Sequence, residues 1–204
     1  MDTKHKILLE ALRLFSQKGF DAVGVEQIAS AVGIKAPSLY KHYRSKQDIF
    51  DAIFEETARR YEAFTDTISI HVQNSEQDVV VFEEITADDL VDKVKSLIDY
   101  SLHDEYISQF RRMMTIEQFR SPELSELYSK RYVSQIHDYH KGLFTRMIEA
   151  GVLAKEDPGV LAMMYDAPIL VLLGECDRHP EKEDECMQTL EAHVRLFYKT
   201  FNRK

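Results

Sequence analysis

One short segment, residues 23–46, constrains the fold of this chain more than any other. It reads VGVEQIASAVGIKAPSLYKHYRSK and begins with apolar residues at the spacing of one helix face: Val25, Ile28, Ala29 and Val32. Gly33 then interrupts the pattern where a left-handed turn residue is favoured. Pro37 suits the first turn of a second helix, and Leu39 and Tyr43 are spaced to anchor it. The segment therefore predicts a helix-turn-helix, whose second helix enters the major groove of DNA.

A supporting helix precedes this segment and ends at Gly19. Its wide apolar face consists of Ile7, Leu8, Ala11, Leu12, Leu14 and Phe15. The distribution of charge agrees with a DNA partner, because residues 1–46 carry +4 although the whole chain carries −9. The remaining 158 residues therefore carry −13. A basic head on an acidic body is typical of a DNA-binding domain joined to one that does not touch DNA.

The run ILLEALRLFSQKGFDAVGVEQIASAVGIKAPSLYKHYRSKQDIFDAI, residues 7–53, resembles the N-terminal domain of the TetR family of bacterial transcriptional repressors. The matching pieces are ALRLF followed by GF, then V-x-x-I-A-x-x-x-G-I and L-Y-x-H-Y-x-S-K. Gly24 and Lys35 depart from it, since Ser or Thr is usual at both positions. The resemblance implies an all-α protein with a helix-turn-helix domain at residues 1–46. Residues 47–204 would form a larger helical domain for ligand binding and dimerisation.

By the same resemblance, the DNA-reading surface lies mainly in the second helix of the motif. Ala36, Pro37 and Ser38 would approach base edges, where their apolar surfaces can pack on thymine methyl groups. The residues expected to contact phosphates are Lys35, Tyr40, Lys41, His42 and Lys46. Gln27 would contact a phosphate or a base. The expected partner is a double-stranded operator, palindromic if the protein is a homodimer.

The rest of the chain keeps a helical pattern. The spacing predicts helices over about 46–70, 86–103, 104–118, from Ser121-Pro122 to Ala150, from Asp157-Pro158 onwards, and from His179-Pro180 to Phe201. Residues 72–85 fit no helical pattern and are expected to form a loop.

The last two helices carry more apolar residues than one buried face requires. We expect one face of each to pack in the core and another on a second subunit, as the resemblance also implies. The candidate interface residues are Leu161, Met164, Pro168, Leu172, Met187, Leu190, Val194, Phe197 and Phe201. Pro168 is expected to kink its helix.

A small-molecule pocket between the middle helices is implied by the resemblance. The candidate lining residues are aromatic or methionine, which suits an apolar or aromatic effector. They are Phe64, Tyr100, Phe110, Met113, Met114, Phe119, Tyr139 and Tyr165. The same side chains at helical spacing could equally be ordinary core.

Other chemistry is weakly indicated. His137 and His140 share one helix face and could bind a metal, but no third ligand is near in sequence, so no metal or cofactor is predicted. Cys176 and Cys186 could form a redox pair but are expected to be reduced, buried thiols. Four acids are expected to be solvated: Asp99, Asp104, Glu105 and Glu117. The chain has no glycine-rich phosphate loop or nucleophile motif, so we expect no catalytic residues and no enzyme.

The composition favours a cytoplasmic protein. The first residues lack the apolar run of a signal peptide, and the longest apolar stretch, residues 160–174, contains Asp166 and Pro168. The leading interpretation is a repressor released by a small effector. The alternatives are a DNA-binding activator or architectural factor without an effector, and a metal-binding or enzymatic helical protein.

Overall fold

The computed structural model describes residues 2–71, 75–120 and 122–203, and its regular structure in these ranges is helical. A single antiparallel β-bridge joins Leu153 to Asn202. The α-helices are α1 (Thr3–Lys18), α2 (Val25–Val32), α3 (Ala36–Leu39), α4 (Lys46–Thr67), α5 (Ser75–Glu83), α6 (Ala87–His103), α7 (Glu105–Glu117), α8 (Pro122–Ser129), α9 (Gln135–Glu149), α10 (Pro158–Arg178) and α11 (Glu183–Phe201). The all-α architecture expected from the sequence is confirmed.

Acidic residues begin several of these helices. Asp104 accepts hydrogen bonds from the backbone N–H groups of Tyr106 and Ile107, at 3.0 and 2.9 Å, at the start of α7. Asp157 does the same for Val160 at 2.9 Å, directly before the Pro that begins α10. These caps satisfy N–H groups that have no partner within the helix, and the sequence predicted the start at Asp157-Pro158 from this rule. The cap expected from Ser121 lies outside the described residues.

The prediction of a loop over residues 72–85 is wrong, because α5 occupies most of this segment. Residues 72–74 lie outside the described part, but Phe82 and Ile85 are buried in a hydrophobic core, and Val79 packs against it. Asp78 is fully buried and accepts a hydrogen bond from the hydroxyl of Tyr139 on α9. Tertiary contacts therefore stabilise a helix whose own amphipathic pattern is too weak to predict it.

The single helix expected from Pro122 to Ala150 is interrupted. A π-helical segment, Lys130–Ser134, lies between α8 and α9. Such a segment carries an extra residue in its turn and changes which side chains share a face, an effect that sequence periodicity alone does not show.

The chain forms two compact units by the density of its contacts. The first contains the chain up to Glu62 together with His103–Tyr128, and the second contains Ala63–Leu102 and Ser129–Lys204. The first unit is larger than residues 1–46, since α7 packs along α1 and buries Phe110, Met113 and Met114. The division at residue 46 stays a prediction about where DNA binding ends.

The second unit has its own hydrophobic core, built mainly on α6, α9, α10 and α11. Its buried members include Val94, Leu143, Tyr165, Leu190 and Phe197. α10 is long and apolar enough to cross a membrane by length and composition alone. It buries Leu161, Tyr165 and Asp166 in this unit, and a single helix of this kind is weak evidence for a membrane span.

Candidate nucleic-acid interface

The first three helices form a small framework around one apolar cluster. α1 contributes Ile7, Leu12 and Phe15, and Ile28 from α2 and Leu39 from α3 complete it; all five are fully buried. Asp2 caps α1 by accepting a hydrogen bond from the N–H of His5 at 2.7 Å. Rigid packing of such short helices is what fixes the direction of the side chains that face outward.

Gly24 and Gly33 bound α2. Gly24 has no side chain to cap the helix, but its N–H donates to Oε1 of Gln27 at 2.8 Å. Gly33 has a φ of +78°, the left-handed conformation that the sequence predicts for the turn. Gln27, predicted to reach a phosphate or base, is exposed. Because its Oε1 accepts the hydrogen bond from Gly24, it also caps the helix.

α3 is short, and the chain continues through turns to Tyr43. Tyr43 is buried, and its hydroxyl lies 3.5 Å from the backbone oxygen of Lys4. Burial raises the pKa of Tyr43 to about 12, and the charge of Asp48 adds to the effect, so the phenol stays protonated at neutral pH. Tyr43 is therefore an anchor, as its spacing from Leu39 predicts.

The side chains predicted to contact DNA lie on the outer surface of this motif. Those that are exposed are Gln27, Lys35, Pro37, Tyr40, Lys41 and His42. Those that are half-buried are Ala36, Ser38 and Lys46. Tyr40 is 50% exposed although it is a large aromatic residue, which is unusual for a side chain that only packs in a core. The motif thus presents a basic and aromatic surface of the kind that contacts a phosphate backbone.

Lys46 differs from the other predicted phosphate contacts. Its ammonium donates a hydrogen bond to the backbone oxygen of Phe20 at 2.8 Å and lies 4.2 Å from the centre of the Phe20 ring. It therefore fixes the turn after α1 to the start of α4, a structural role that sequence spacing does not reveal.

Glu117, expected to be solvated, is buried. Its Oε1 accepts a hydrogen bond from the N–H of Phe20 at 2.8 Å and lies 3.5 Å from Arg120. Phe20 is thus held through both backbone groups, by Lys46 at its oxygen and by Glu117 at its nitrogen. The hydrogen bond to Glu117 ties the turn between α1 and α2 to the end of α7. The two residues are 97 positions apart in the sequence, so no local pattern indicates the contact.

Comparison with known sequences agrees with this geometry. The profile described as "Bacterial regulatory proteins, tetR family" matches residues 7–53. The HTH-type transcriptional regulator AcrR of Shigella flexneri is 41% identical over 54 residues, 26% of this chain and 25% of AcrR. The negative transcriptional regulator IcaR of the biofilm operon icaADBC in Staphylococcus aureus is 46% identical over 48 residues, 24% of this chain and 26% of IcaR. The matched segment thus spans about a quarter of these curated relatives.

Residues 7–53, which contain the helix-turn-helix, thus match the family of bacterial tetR regulatory proteins. A solved structure, the SmeT–triclosan complex, extends the likeness beyond the matched segment: it has a TM-score of 0.73 at 18% identity and covers 100% of this chain and 93% of that one. SmeT is described as the repressor of the Stenotrophomonas maltophilia multidrug efflux pump SmeDEF. At this identity the likeness concerns the fold alone.

The predicted dimer residues fall into two groups by their burial. Leu161, Leu190, Val194 and Phe197 are buried in the core of their own subunit, whereas Met164 is 49% exposed. The half-buried members are Pro168, Leu172, Met187 and Phe201. Four exposed apolar side chains on the same two helices were not singled out by the sequence: Val160, Met163, Val171 and Leu196.

The predicted effector residues are divided between the two units. Phe110, Met113 and Met114 are buried in the first unit, and Phe119 is exposed. In the second unit, the rings of Phe64 and Tyr100 stack at 3.9 Å, and Tyr139 and Tyr165 are buried near His140. A shallow apolar cleft in that unit has other lining residues: Ile98, Ile169, Leu172, Leu173, Cys176, Cys186, Met187 and Leu190.

The remaining chemical candidates lie in the second unit. Among residues 2–71, 75–120 and 122–203, no three His, Cys, Asp or Glu side chains group as a metal site. His140 instead lies beside Asp166, with its Nδ1 2.6 Å from Oδ1. Cys176 and Cys186 are buried free thiols, and burial raises the pKa of Cys176 to about 12, with a hydrogen bond to Cys186 adding to it. Such a thiol reacts slowly with oxidants.

Proposed function

We propose that this TetR-family chain is a sequence-specific DNA-binding transcriptional regulator, a repressor that a small effector releases from its operator. The observation that carries the proposal is the exposed basic and aromatic surface around α3 in a segment that matches the family profile. Both IcaR and SmeT are described as negative regulators, which supports repression. This function would be exercised in the cytoplasm.

The proposed roles of the DNA-contacting residues follow their positions. Ala36, Pro37 and Ser38 lie at the start of α3 and would face base edges, which supply sequence information. The other predicted residues would hold phosphates and fix the orientation of the head: Lys35, Tyr40, Lys41, His42 and Lys46. Gln27 would contribute from the first turn of α2 while it caps that helix.

Dimerisation is the second part of the proposal. A single helix-turn-helix makes few contacts, so dimers that read two half-sites about one helical turn apart bind more tightly and more specifically. The exposed apolar side chains of α10 and α11, among them Met164, Val171 and Leu196, would supply the interface. The operator would then be palindromic.

The effector is proposed to be small and apolar or aromatic and to bind in the second unit. The likeness of fold to a complex of SmeT with triclosan supports an effector of this type. An effector releases DNA only if it binds the DNA-incompetent conformation more tightly than the competent one. α4 belongs to both units along one continuous helix, so a shift of α4 is the proposed route to the head.

Selection of bound fragments from a random DNA pool at physiological salt tests the proposal. The expected result is enrichment of a palindrome with paired half-sites, which the double variant Tyr40→Ala, Lys41→Ala fails to enrich. The matched control is a variant with two exposed residues of α11 replaced, Lys199→Ala and Arg195→Ala, which should enrich the same palindrome. No enrichment by the unaltered protein, or equal enrichment by the Tyr40/Lys41 variant, would contradict it.

A further inference from the structure

The core of the second unit buries two carboxylates whose surroundings differ. Asp78 is fully buried and well supplied with donors. It accepts a hydrogen bond from the N–H of His71 at 2.7 Å and from the hydroxyl of Tyr139 at 2.5 Å, and Nδ1 of His71 lies 2.5 Å away. This is the arrangement expected of a buried acid that serves only to hold helices together.

Asp166 is 5% exposed and has no such arrangement. Within the described parts of the chain, neither carboxylate oxygen has a hydrogen-bond partner. Nδ1 of His140 is 2.6 Å from Oδ1, but the ring is not oriented to direct an N–H at that oxygen, so the contact is at most a pairing of charges. Oδ2 has no counterpart of that kind. A buried carboxylate in this condition lacks the donors that its charge requires.

The space beside Asp166 that the imidazole of His140 fills is bordered by aromatic rings. The centre of the His140 ring lies 5.0 Å from those of Tyr139 and Tyr165 and 5.6 Å from that of Phe144. Aromatic faces attract cations through their quadrupole, and a carboxylate attracts them through its charge. The cluster therefore combines the two features that bind an organic ammonium group.

We propose that Asp166 anchors the effector and that the effector carries an ammonium group attached to an apolar, aryl-alkyl body. The ammonium takes the place that the His140 ring occupies, so the ligand selects a conformer in which that ring has turned away. The ammonium donates to both oxygens of Asp166, and the aromatic rings surround its carbon chain. The identification of this ligand as an effector rests on the proposed regulatory function; the binding site itself does not.

The charge of the site discriminates between classes of ligand. An anion would face the carboxylate of Asp166 and be repelled. A neutral alcohol can donate one hydrogen bond but leaves the charge of Asp166 without a counterion, so it should bind more weakly than the matching amine. Comparing an amine with an alcohol of the same shape therefore isolates the contribution of the ammonium group.

Calorimetric titration of the full chain, without DNA, with 4-phenylbutylamine and with 4-phenylbutan-1-ol tests this. The amine should bind at least about tenfold more tightly than the alcohol, the factor expected for one charge-assisted interaction. Asp166→Asn should remove that preference and leave alcohol binding within about twofold, because the change keeps the shape and deletes the charge. Asp138→Asn, an exposed acid on the same helix as His140, is the control for net charge and should keep the preference.

A second variant keeps the test decisive. His140→Ala removes the ring that occupies the site, so the amine should bind at least as tightly as it does to the unaltered protein. Equal affinity for amine and alcohol, an unchanged preference in Asp166→Asn, or loss of the amine in His140→Ala would overturn the proposal. So would unfolding of Asp166→Asn in a thermal melt, since the acid would then be structural.

These outcomes are separate from those of the proposed function. If DNA selection succeeds and the amine fails to bind, the inference about Asp166 is wrong and the regulatory proposal stands. If the amine binds through Asp166 but no DNA is enriched, the site is real and its role as an effector site is wrong. Where both hold, adding the amine to the DNA complex should lower operator affinity, and less so for Asp166→Asn.

Discussion

Lys41 and Lys46 lie in the same basic segment, but their ammonium groups have different surroundings. Lys41 is exposed on the surface of the helix-turn-helix motif, whereas Lys46 is half-buried and bonded to the backbone oxygen of Phe20. The charge of Lys41 is therefore available to a phosphate without loss of any internal contact. The two residues should respond differently to removal of the charge.

Replacing Lys41 by Ala should weaken operator binding through loss of one phosphate contact. Because each neutralised phosphate releases condensed counterions, the negative slope of log K against log salt should become less steep by about 0.9. The affinity is measured on the selected operator at several salt concentrations. Lys199→Ala, which removes an exposed Lys from α11, should leave the slope unchanged, and an unchanged slope in Lys41→Ala would remove that residue from the interface.

Replacing Lys46 by Met should reduce the stability of the protein as well as its operator affinity. Met keeps the apolar stem of the side chain but loses the donor to Phe20, and the loss of such a charged hydrogen bond costs about 1.5–3 kcal/mol. The free energy of unfolding in urea measures this. Lys35→Met, at an exposed position, is the control, and equal stability of the two variants would show that the bond to Phe20 contributes little.

At the scale of secondary-structure elements, the two turns that bound α1 and α2 use glycine for different reasons. Gly33 has a φ of +78° and open space around it, so only its backbone conformation requires glycine. Gly19 has a φ of +82° and a ψ of 161°, a region that other residues rarely adopt. A Cβ at Gly19 would also lie 2.6 Å from Oε1 of Glu117, the acid that holds Phe20.

Gly33→Ala should therefore lower the free energy of unfolding by about 1 kcal/mol, the usual cost of a left-handed alanine. Gly19→Ala should cost more, on the order of 3 kcal/mol, because it adds displacement of a buried, hydrogen-bonded carboxylate to the backbone strain. Urea unfolding of the two variants side by side measures the difference. A smaller effect at Gly19 than at Gly33 would mean that Glu117 moves aside at little cost.

At the scale of the whole molecule, the apolar surface of α10 and α11 has consequences for assembly. Of the large apolar side chains that are exposed in the described chain, five lie on these two helices: Val160, Met163, Met164, Val171 and Leu196. Val160, Met164 and Val171 lie at helical spacing and share one face of α10. Exposed apolar residues grouped on one face are typical of an interaction site, whereas single exposed residues are common on any protein. The second subunit proposed above would cover this surface.

Val171→Glu should accordingly convert a dimer into a monomer, because it places a charge on that apolar face, and operator affinity should fall with it. The mass in solution, measured by light scattering during gel filtration, reports the change. Val80→Glu, at a similarly exposed position on α5, should remain dimeric. A dimeric Val171→Glu variant would move the interface elsewhere.

The sequence by itself determined the helical class, the helix-turn-helix and the starts of most helices. These follow from local rules: the period of apolar residues, the capping acid Asp157, and the conformation that Gly33 requires. The outward position of Tyr40 and Lys41 follows from the same period, once Leu39 and Tyr43 are assigned to the core.

Only the tertiary structure decided which polar groups are buried and what they contact. The bond between Glu117 and Phe20 spans 97 residues, and the helix α5 is stabilised partly by the contact of Asp78 with Tyr139, 61 residues away. The free energy of each contact depends on the desolvation and geometry of groups from distant segments, which a local pattern does not contain. For the same reason the sequence treated Asp166 as an interruption of an apolar run, whereas the fold buries it beside His140, with no hydrogen-bond partner among the residues that the structure describes.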